Sequence, residues 1–354
     1  MRRALAIVAL VGALLPGCAA GPAWREVPLP GGVRVTELVA DASSLVVGAT
    51  AADDRPALLR VTPEASAAID VVPTSPYAAT AAWLQLASGP AGLSAVGGAR
   101  GGAHGNVRWT VWRSATVDGR AALSEEPQPF ETFGGEDAGA LAGIADAGGG
   151  PVVVGSWRGA VGLDVALWRP EGVAWVRETP PGLASDAATL RSAAGIAAGP
   201  GGYVIVGNEI ALDAGAAQAP VAWTEASGAW VATRLPGGAG RASGVGCSAD
   251  ACLVVGQAPD DRARAWWLRG GAASEIALPP VTLGAGRVPA PLVVGSAGWL
   301  VLPTGDGTAV VEVGSNGAHA VEAPGGVPVA AASVGGRRYV ATRDAAGATR
   351  LWVT

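Results

Sequence analysis

A short motif, two or three aliphatic residues closing on glycine, recurs along this chain. It appears as Leu45-Val46-Val47-Gly48, Ala95-Val96-Gly97, Val152-Val153-Val154-Gly155, Val204-Ile205-Val206-Gly207 and Leu253-Val254-Val255-Gly256. Equivalent glycines stand 49, 58, 52 and 49 residues apart. A period of that size marks stacked units, none of which buries its apolar face alone. Each unit reads alike: a strand of small apolar residues, a turn, the Val-Val-Gly strand and a variable loop. A strand ending in Trp or Leu follows, then a turn and a strand closing on Leu-Pro or Thr-Pro. The pattern is clearest over 140–180, 191–236 and 241–279, where Ala166-Leu167-Trp168, Val221-Ala222-Trp223 and Ala265-Trp266-Trp267 form the third strands. Weaker copies cover 33–73, 81–129, 288–324 and 327–354.

The chain has 54 glycines and 26 prolines in 354 residues, without a collagen period, so they punctuate many turns. Valine and tryptophan fall in short runs between those turns, which suits strands. No apolar stripe at helical spacing persists beyond the first residues. The expected fold class is all-β, and four-stranded units of this length make the blades of a β-propeller. The last copy offers only three strands, near 328–334, 338–342 and 348–353. The missing strand is found at the other end, where Trp24-Arg25-Glu26-Val27-Pro28-Leu29-Pro30 resembles the closing strand of the other units. Pairing the two ends removes open sheet edges. This predicts a single domain over 24–354, a β-propeller of seven four-stranded blades, its ring closed by the N-terminal strand. Six or eight blades stay open, because the 81–129 copy is long and the last two are degenerate.

Residues 1–17 have the form of a signal peptide: Arg2 and Arg3, an apolar run from Ala4 to Leu15, then Pro16-Gly17-Cys18. About twelve apolar residues are too few to span a bilayer and fit a signal h-region. Leu15-Pro16-Gly17-Cys18 resembles the bacterial lipobox, whose cysteine is diacylated and becomes the new N-terminus. The resemblance implies lipidation at Cys18, a lipidated tether over 18–23 and a membrane partner reached through the N-terminal lipid. The localisation it implies is the cell envelope, extracytoplasmic. The alternative is an ordinary secretory peptide cut near Ala19 or Ala20, with Cys18 discarded.

Export permits disulfides. Cys247 and Cys252 flank a tight turn and each abuts an apolar strand, so a disulfide staple is expected. Zinc is the weaker reading, since two cysteines with no nearby histidine supply half a ligand set. The units from Trp168 to Trp175 and from Trp223 to Trp230 resemble degenerate Asp-box repeats of sialidase-like propellers, with Val117-Asp118-Gly119 and Ser315-Asn316-Gly317 as partial matches. The 247–256 segment also resembles a Cys-x4-Cys-x-Val-Val-Gly repeat of secreted propeller-like proteins from GC-rich bacteria. These resemblances concern scaffold turns and imply a fold only. The sialidase family would need an arginine triad, a tyrosine–glutamate pair and an aspartate acid. Gly286-Arg287-Val288-Pro289 echoes its arginine motif late in the chain, while Tyr203 and Tyr339 sit in Val-rich strands that suit core packing.

Every one of the 24 basic residues is arginine, so P-loop, Schiff-base and general-base lysines are excluded. Net charge is −5 with no basic run, which argues against nucleic acid as a partner. No catalytic residues, metal site or cofactor is predicted. The loop after each Val-Val-Gly strand carries acids or arginines: Asp53 and Asp54, Arg100 and His104, Arg158 and Asp164, Asp213, Asp260 and Asp261, Asp306, Asp344. In a propeller these loops share one face with the blade-to-blade connections, making that face the candidate binding site. The plainer explanation is that hairpin turns favour Asp and Gly. Trp157 and Trp299 are candidates for ligand exposure. The function expected is a membrane-anchored, extracytoplasmic, monomeric binding or scaffolding module for an unknown protein or glycan. The alternative is a glycan-active hydrolase or lyase on a sialidase-like propeller. A structural module of an envelope assembly is a third possibility.

Overall fold

The computed structural model describes residues 23–101, 105–213 and 215–354. The signal segment, Cys18 and most of its tether lie outside the described residues, as does His104. Strand β1 (Arg25–Val27) comes first, and four-stranded antiparallel meanders follow. The first meander is β2 (Arg34–Asp41), β3 (Ser44–Thr50), β4 (Pro56–Val61) and β5 (Ser66–Val72). The second is β6 (Ala82–Gly89), β7 (Gly92–Arg100), β8 (Val107–Val117) and β9 (Arg120–Glu125). The third is β10 (Ala138–Asp146), β11 (Pro151–Arg158), β12 (Leu163–Glu171) and β13 (Ala174–Glu178). The fourth is β14 (Thr189–Gly199), β15 (Gly202–Ala211), β16 (Ala217–Ala226) and β17 (Ala229–Arg234). The fifth is β18 (Arg241–Cys247), β19 (Cys252–Gln257), β20 (Ala263–Arg269) and β21 (Ala272–Ile276). The sixth is β22 (Leu292–Val294), β23 (Ala297–Thr304), β24 (Gly307–Gly314) and β25 (Gly317–Val321). The last sheet orders β26 (Val327–Val334), β27 (Arg337–Arg343) and β28 (Thr349–Val353), with β1 paired on β28. A parallel pairing of β5 with β9 joins the first two meanders into one eight-stranded sheet.

The recurring glycine has a geometric cause. In most sheets the first strand carries a bulge, and the residue beside it pairs with the second strand where the glycine stands: Trp83 opposite Gly97, Leu141 opposite Gly155, Ala193 opposite Gly207, Ala242 opposite Gly256. The bulged strand approaches so closely that a Cβ on Gly207 would lie 1.9 Å from the Ser192 carbonyl oxygen.

The apolar core lies between neighbouring sheets rather than within any one of them. Third-strand Trp112, Trp168, Trp223 and Trp266 are all fully buried there. One cluster joins Trp168 and Trp175 of the third meander to Val96 and Val111 of the second, and another joins Trp223 to Val154 and Leu167. The same packing links the chain ends: Val27, Leu351 and Val353 share a cluster with Val35, Leu45 and Val47. Along the inner edge, the first strands touch in succession, β2 on β6, β6 on β10 and so on, and β26 packs on β2.

Strand β1 is three residues long, shorter than the seven that its sequence suggested. Arg25 pairs with Val353, Glu26 with Trp352 and Val27 with Leu351. Trp24 adds a hydrogen bond from its indole nitrogen to the Glu322 carbonyl (2.9 Å), and Arg350 pairs with Glu26 at 3.4 Å. Cys247 and Cys252 stand opposite one another across β18 and β19 and form a disulfide. Tyr203 and Tyr339 are buried, as their strands implied. No described helix is long and apolar enough to cross a membrane.

Candidate functional site

Antiparallel meanders put the loops between second and third strands at the same end as the connections from one meander to the next. His104 aside, the polar residues named from the sequence lie in or beside those loops, and most are engaged with their own loops. Asp53-Asp54-Arg55 and Asp260-Asp261-Arg262 build one and the same turn. The amide of Ala51 donates to the Arg55 carbonyl and that of Asp54 to Ala51, at 2.8 and 3.0 Å; Ala258 and Asp261 repeat both bonds at 2.9 and 3.1 Å. Asp344 opens a third copy, bonding Ala348 and Gly347 in the same pattern. The fourth residue of each turn has positive φ: 63° at Asp54, 60° at Asp261 and 85° at Gly347. Aspartate tolerates that conformation better than most residues, while Asp53, Asp260 and Asp344 accept from backbone amides of their own turns.

Several of the remaining charges also have partners close by. Asp54 forms an ion pair with Arg34, and Asp260 with Arg262 at 2.6 Å. Asp261 accepts from the Gln257 amide at 2.7 Å. Arg158 reaches Asp137 at 3.2 Å and Glu136 at 3.8 Å. Asp164 is buried and accepts from the Ser185 amide at 2.8 Å. Arg100 donates to the Gly105 carbonyl of its own hairpin at 3.4 Å. Asp213 and Asp306 stay exposed at their loops. No group of three or more His, Cys, Asp or Glu able to hold a metal occurs among the described residues. Trp157 and Trp299 are only partly buried, but each lies under a guanidinium, Arg177 at 3.8 Å and Arg338 at 4.6 Å.

Two openings on this face were not legible in the sequence. The first is the mouth of the space between the inner strands, a cavity of about 280 Å³ lined by Gln85, Leu141, Ile196, Ser243 and Arg287. Arg287 comes from the long connection between β21 and β22 and crosses to the far side. It pairs with the buried carboxylate of Glu37 on β2 and donates to the Leu84 carbonyl on β6 at 3.0 Å. The inner strands surround the guanidinium, and that loss of bulk solvation lowers its pKa from the ordinary arginine value. Water still reaches half of its side-chain surface. Arg287 is therefore committed to a cross-channel tie, and the echo of a sialidase arginine falls on a residue whose charge is already matched.

The second opening is a groove of about 440 Å³ beside β8, between the connections that enter and leave the second meander. Its walls are Tyr77, from the connection after β5; Arg108 and Trp109, from β8; and 125–134, the connection after β9. Tyr77 and Phe130 are exposed aromatic rings, 37% and 45% accessible. Between them lies the Arg108 guanidinium, 3.8 Å from the Phe130 ring centre and 5.8 Å from that of Tyr77. An exposed aromatic pair around a cation, in a cavity of small-molecule size, is a binding geometry.

Several solved structures resemble this arrangement of sheets. The β-propeller domain of the Trilobed protease from Pyrococcus furiosus matches at TM-score 0.56 and 8% identity, over 91% of this chain and 95% of that one. The fold is a β-propeller. The propeller domain of Cps50 (Swd1) from Myceliophteria thermophila matches at TM-score 0.51 and 10% identity, covering 91% of this chain and 96% of that one. A puromycin-hydrolyzing peptidase from Mycobacterium tuberculosis matches at TM-score 0.51 and 13% identity, over 91% of this chain and 53% of the peptidase. No protein-family model matches the sequence, and no curated protein matches it. Identities this low speak for the fold alone. The Pyrococcus domain is described as having an open velcro topology; in the present propeller β1 pairs with β28.

Proposed function

We propose that this propeller is a lipid-anchored, extracytoplasmic recognition module that binds a ligand without transforming it. The single observation that carries the reading is the groove at Tyr77, Arg108 and Phe130, which opens on the face where the loops and connections meet. Most of the acids and arginines in the loops of that face are engaged in turns and ion pairs, so they shape the rim and leave the groove as the receptive surface. In this reading the propeller has seven blades and β1 closes the ring. The packing of β26 on β2 and the cluster shared by Val27, Leu351 and Val35 support that closure.

Anchoring rests on the leader and on Cys18. If the lipid sits on Cys18, residues 19–23 separate it from the start of the closing strand. At about 3.3–3.6 Å per residue the tether reaches roughly 20 Å at most. The propeller would ride close to the membrane, held there by the strand that completes its last blade.

The test uses the full chain expressed in a bacterial host, beside Cys18→Ser. Palmitate incorporation and recovery in the membrane fraction are expected for the parent, and a folded, released protein for the variant. Purified protein is then applied to glycan and peptide arrays, with bound ligands examined by mass spectrometry. Retention of intact ligand is expected. Cleavage of an arrayed glycan would instead establish the hydrolase alternative, and an unlipidated parent would refute the anchor.

A further inference from the structure

The polar groups of the Tyr77–Phe130 groove fall into two kinds. Its carboxylates and amide are already occupied. Glu125 accepts from the amides and hydroxyls of Thr74 and Ser75, four bonds of 2.6–2.8 Å. Glu126 accepts from Arg113 at 2.6 Å and from the Trp175 indole at 3.0 Å. Gln128 bonds the backbone of Val173 and Trp175, at 2.8 and 3.0 Å. Arg108 differs. Its Nε is buried with no hydrogen-bond partner, and no carboxylate pairs with it among the described residues. Stacking on Phe130 leaves the edge of the guanidinium, where its donors lie, without a counter-charge.

Resting on the recognition reading above, we infer that this groove is a carboxylate-binding site. The guanidinium edge of Arg108 receives a planar carboxylate, and the ligand's apolar or ring-bearing body lies against Tyr77, Phe130 and the Pro127 and Pro129 walls. A planar fork matches a carboxylate in two parallel bonds. Glu125 lines the same groove, but the Thr74 and Ser75 donors already occupy its oxygens, so the free polar edge offered to a ligand is that of Arg108. The cavity of about 440 Å³ limits the recognised portion to one or two rings with their acid group. A peptide's C-terminal carboxylate and a sugar acid both meet that description.

The experiment is titration calorimetry on the detergent-solubilised full chain with two matched probe pairs: N-acetylphenylalanine against its amide, and glucuronate against glucose. At least one acid is expected to bind, about tenfold or more tightly than its neutral partner. Whichever acid binds better supports the inference and identifies the source of the carboxylate. Arg108→Gln should abolish the acid preference with an unchanged melting temperature, and Arg108→Lys should restore part of it. Phe130→Ala should weaken the acid and its neutral partner alike. Equal binding of acid and neutral probes, binding of neither acid, or an unchanged preference in Arg108→Gln would overturn the inference. Array ligands retained equally by Arg108→Gln would overturn it while leaving the recognition reading intact; a parent protein that retains no array ligand would defeat that reading itself.

Discussion

Gly207 and Gly256 sit where the bulged first strand presses on the second, and a Cβ would meet the carbonyl oxygens of Ser192 and Arg241 at 1.9 and 2.1 Å. Backbone cannot swing aside as a flexible side chain can. Gly207→Ala is therefore expected to destabilise the protein by about 1–3 kcal/mol in urea unfolding, while Gly149→Ala, which meets nothing within 4 Å, serves as the neutral control. Tyr203 gives a pH-dependent counterpart. Its hydroxyl donates to the Gly150 carbonyl and accepts from the Ala147 amide, tying the third and fourth meanders together. Burial raises its pKa above the ordinary 10.0, so the folded state holds the phenolic proton more tightly than the unfolded chain. The resulting stability is fully present below that ordinary value and is lost as pH rises through the raised one. Tyr203→Phe should lower the neutral-pH stability by about 1 kcal/mol and flatten the alkaline fall, as read from thermal melts between about pH 8 and 11. The burial of Tyr203 and Tyr339 was legible from their Val-rich strands. The turn-building role of Asp53 and Asp260 was not, because an acid in a loop reads identically whether its carboxylate faces a ligand or caps an amide.

At the scale of elements, strands were readable because each repeat carries its own punctuation. The three strands expected near 328–334, 338–342 and 348–353 fall within a residue or two of β26, β27 and β28. The N-terminal strand that pairs with the last sheet was recognisable by kind but not by length: only Arg25–Val27 pair with β28, and Pro28, which lacks an amide donor, stands just past that pairing. The disulfide between Cys247 and Cys252 bridges the turn from β18 to β19 in a closed loop of only six residues. Chain-entropy reasoning assigns such a short loop about 2 kcal/mol. The Cys247→Ser, Cys252→Ser double variant should lose about that much stability in urea unfolding while retaining the fold. Loss of folding altogether would mean that the fifth meander depends on the bridge far beyond its loop entropy.

Across the whole molecule, the features that matter for function join residues far apart in the chain. Arg287 meets Glu37 and Leu84 across separations of 250 and 203 residues, which no local pattern announces. The groove at Arg108 likewise draws its walls from β8 and from the connections before and after the second meander. Arg287→Ala would leave Glu37, 7% accessible, without its cation. A loss of about 1–2 kcal/mol is expected, less than for a fully enclosed pair because water reaches Arg287. A double-mutant cycle with Glu37→Gln should recover most of that loss as coupling; additive single effects would show that the tie contributes nothing across the channel. The repeat made the propeller legible, since every unit obeys the same rules. Its candidate site was illegible, since a groove is made by what neighbouring units place side by side.

The closure of this propeller by its own N-terminal strand is the claim on which the short membrane tether depends, and a cross-link tests it directly. Glu26 and Trp352 are paired positions on β1 and β28. In the exported full chain carrying Glu26→Cys and Trp352→Cys, a disulfide within one molecule is expected, formed under mild oxidation and lost on unfolding before oxidation. Two free thiols in the folded protein, or cross-links only between separate molecules, would contradict it.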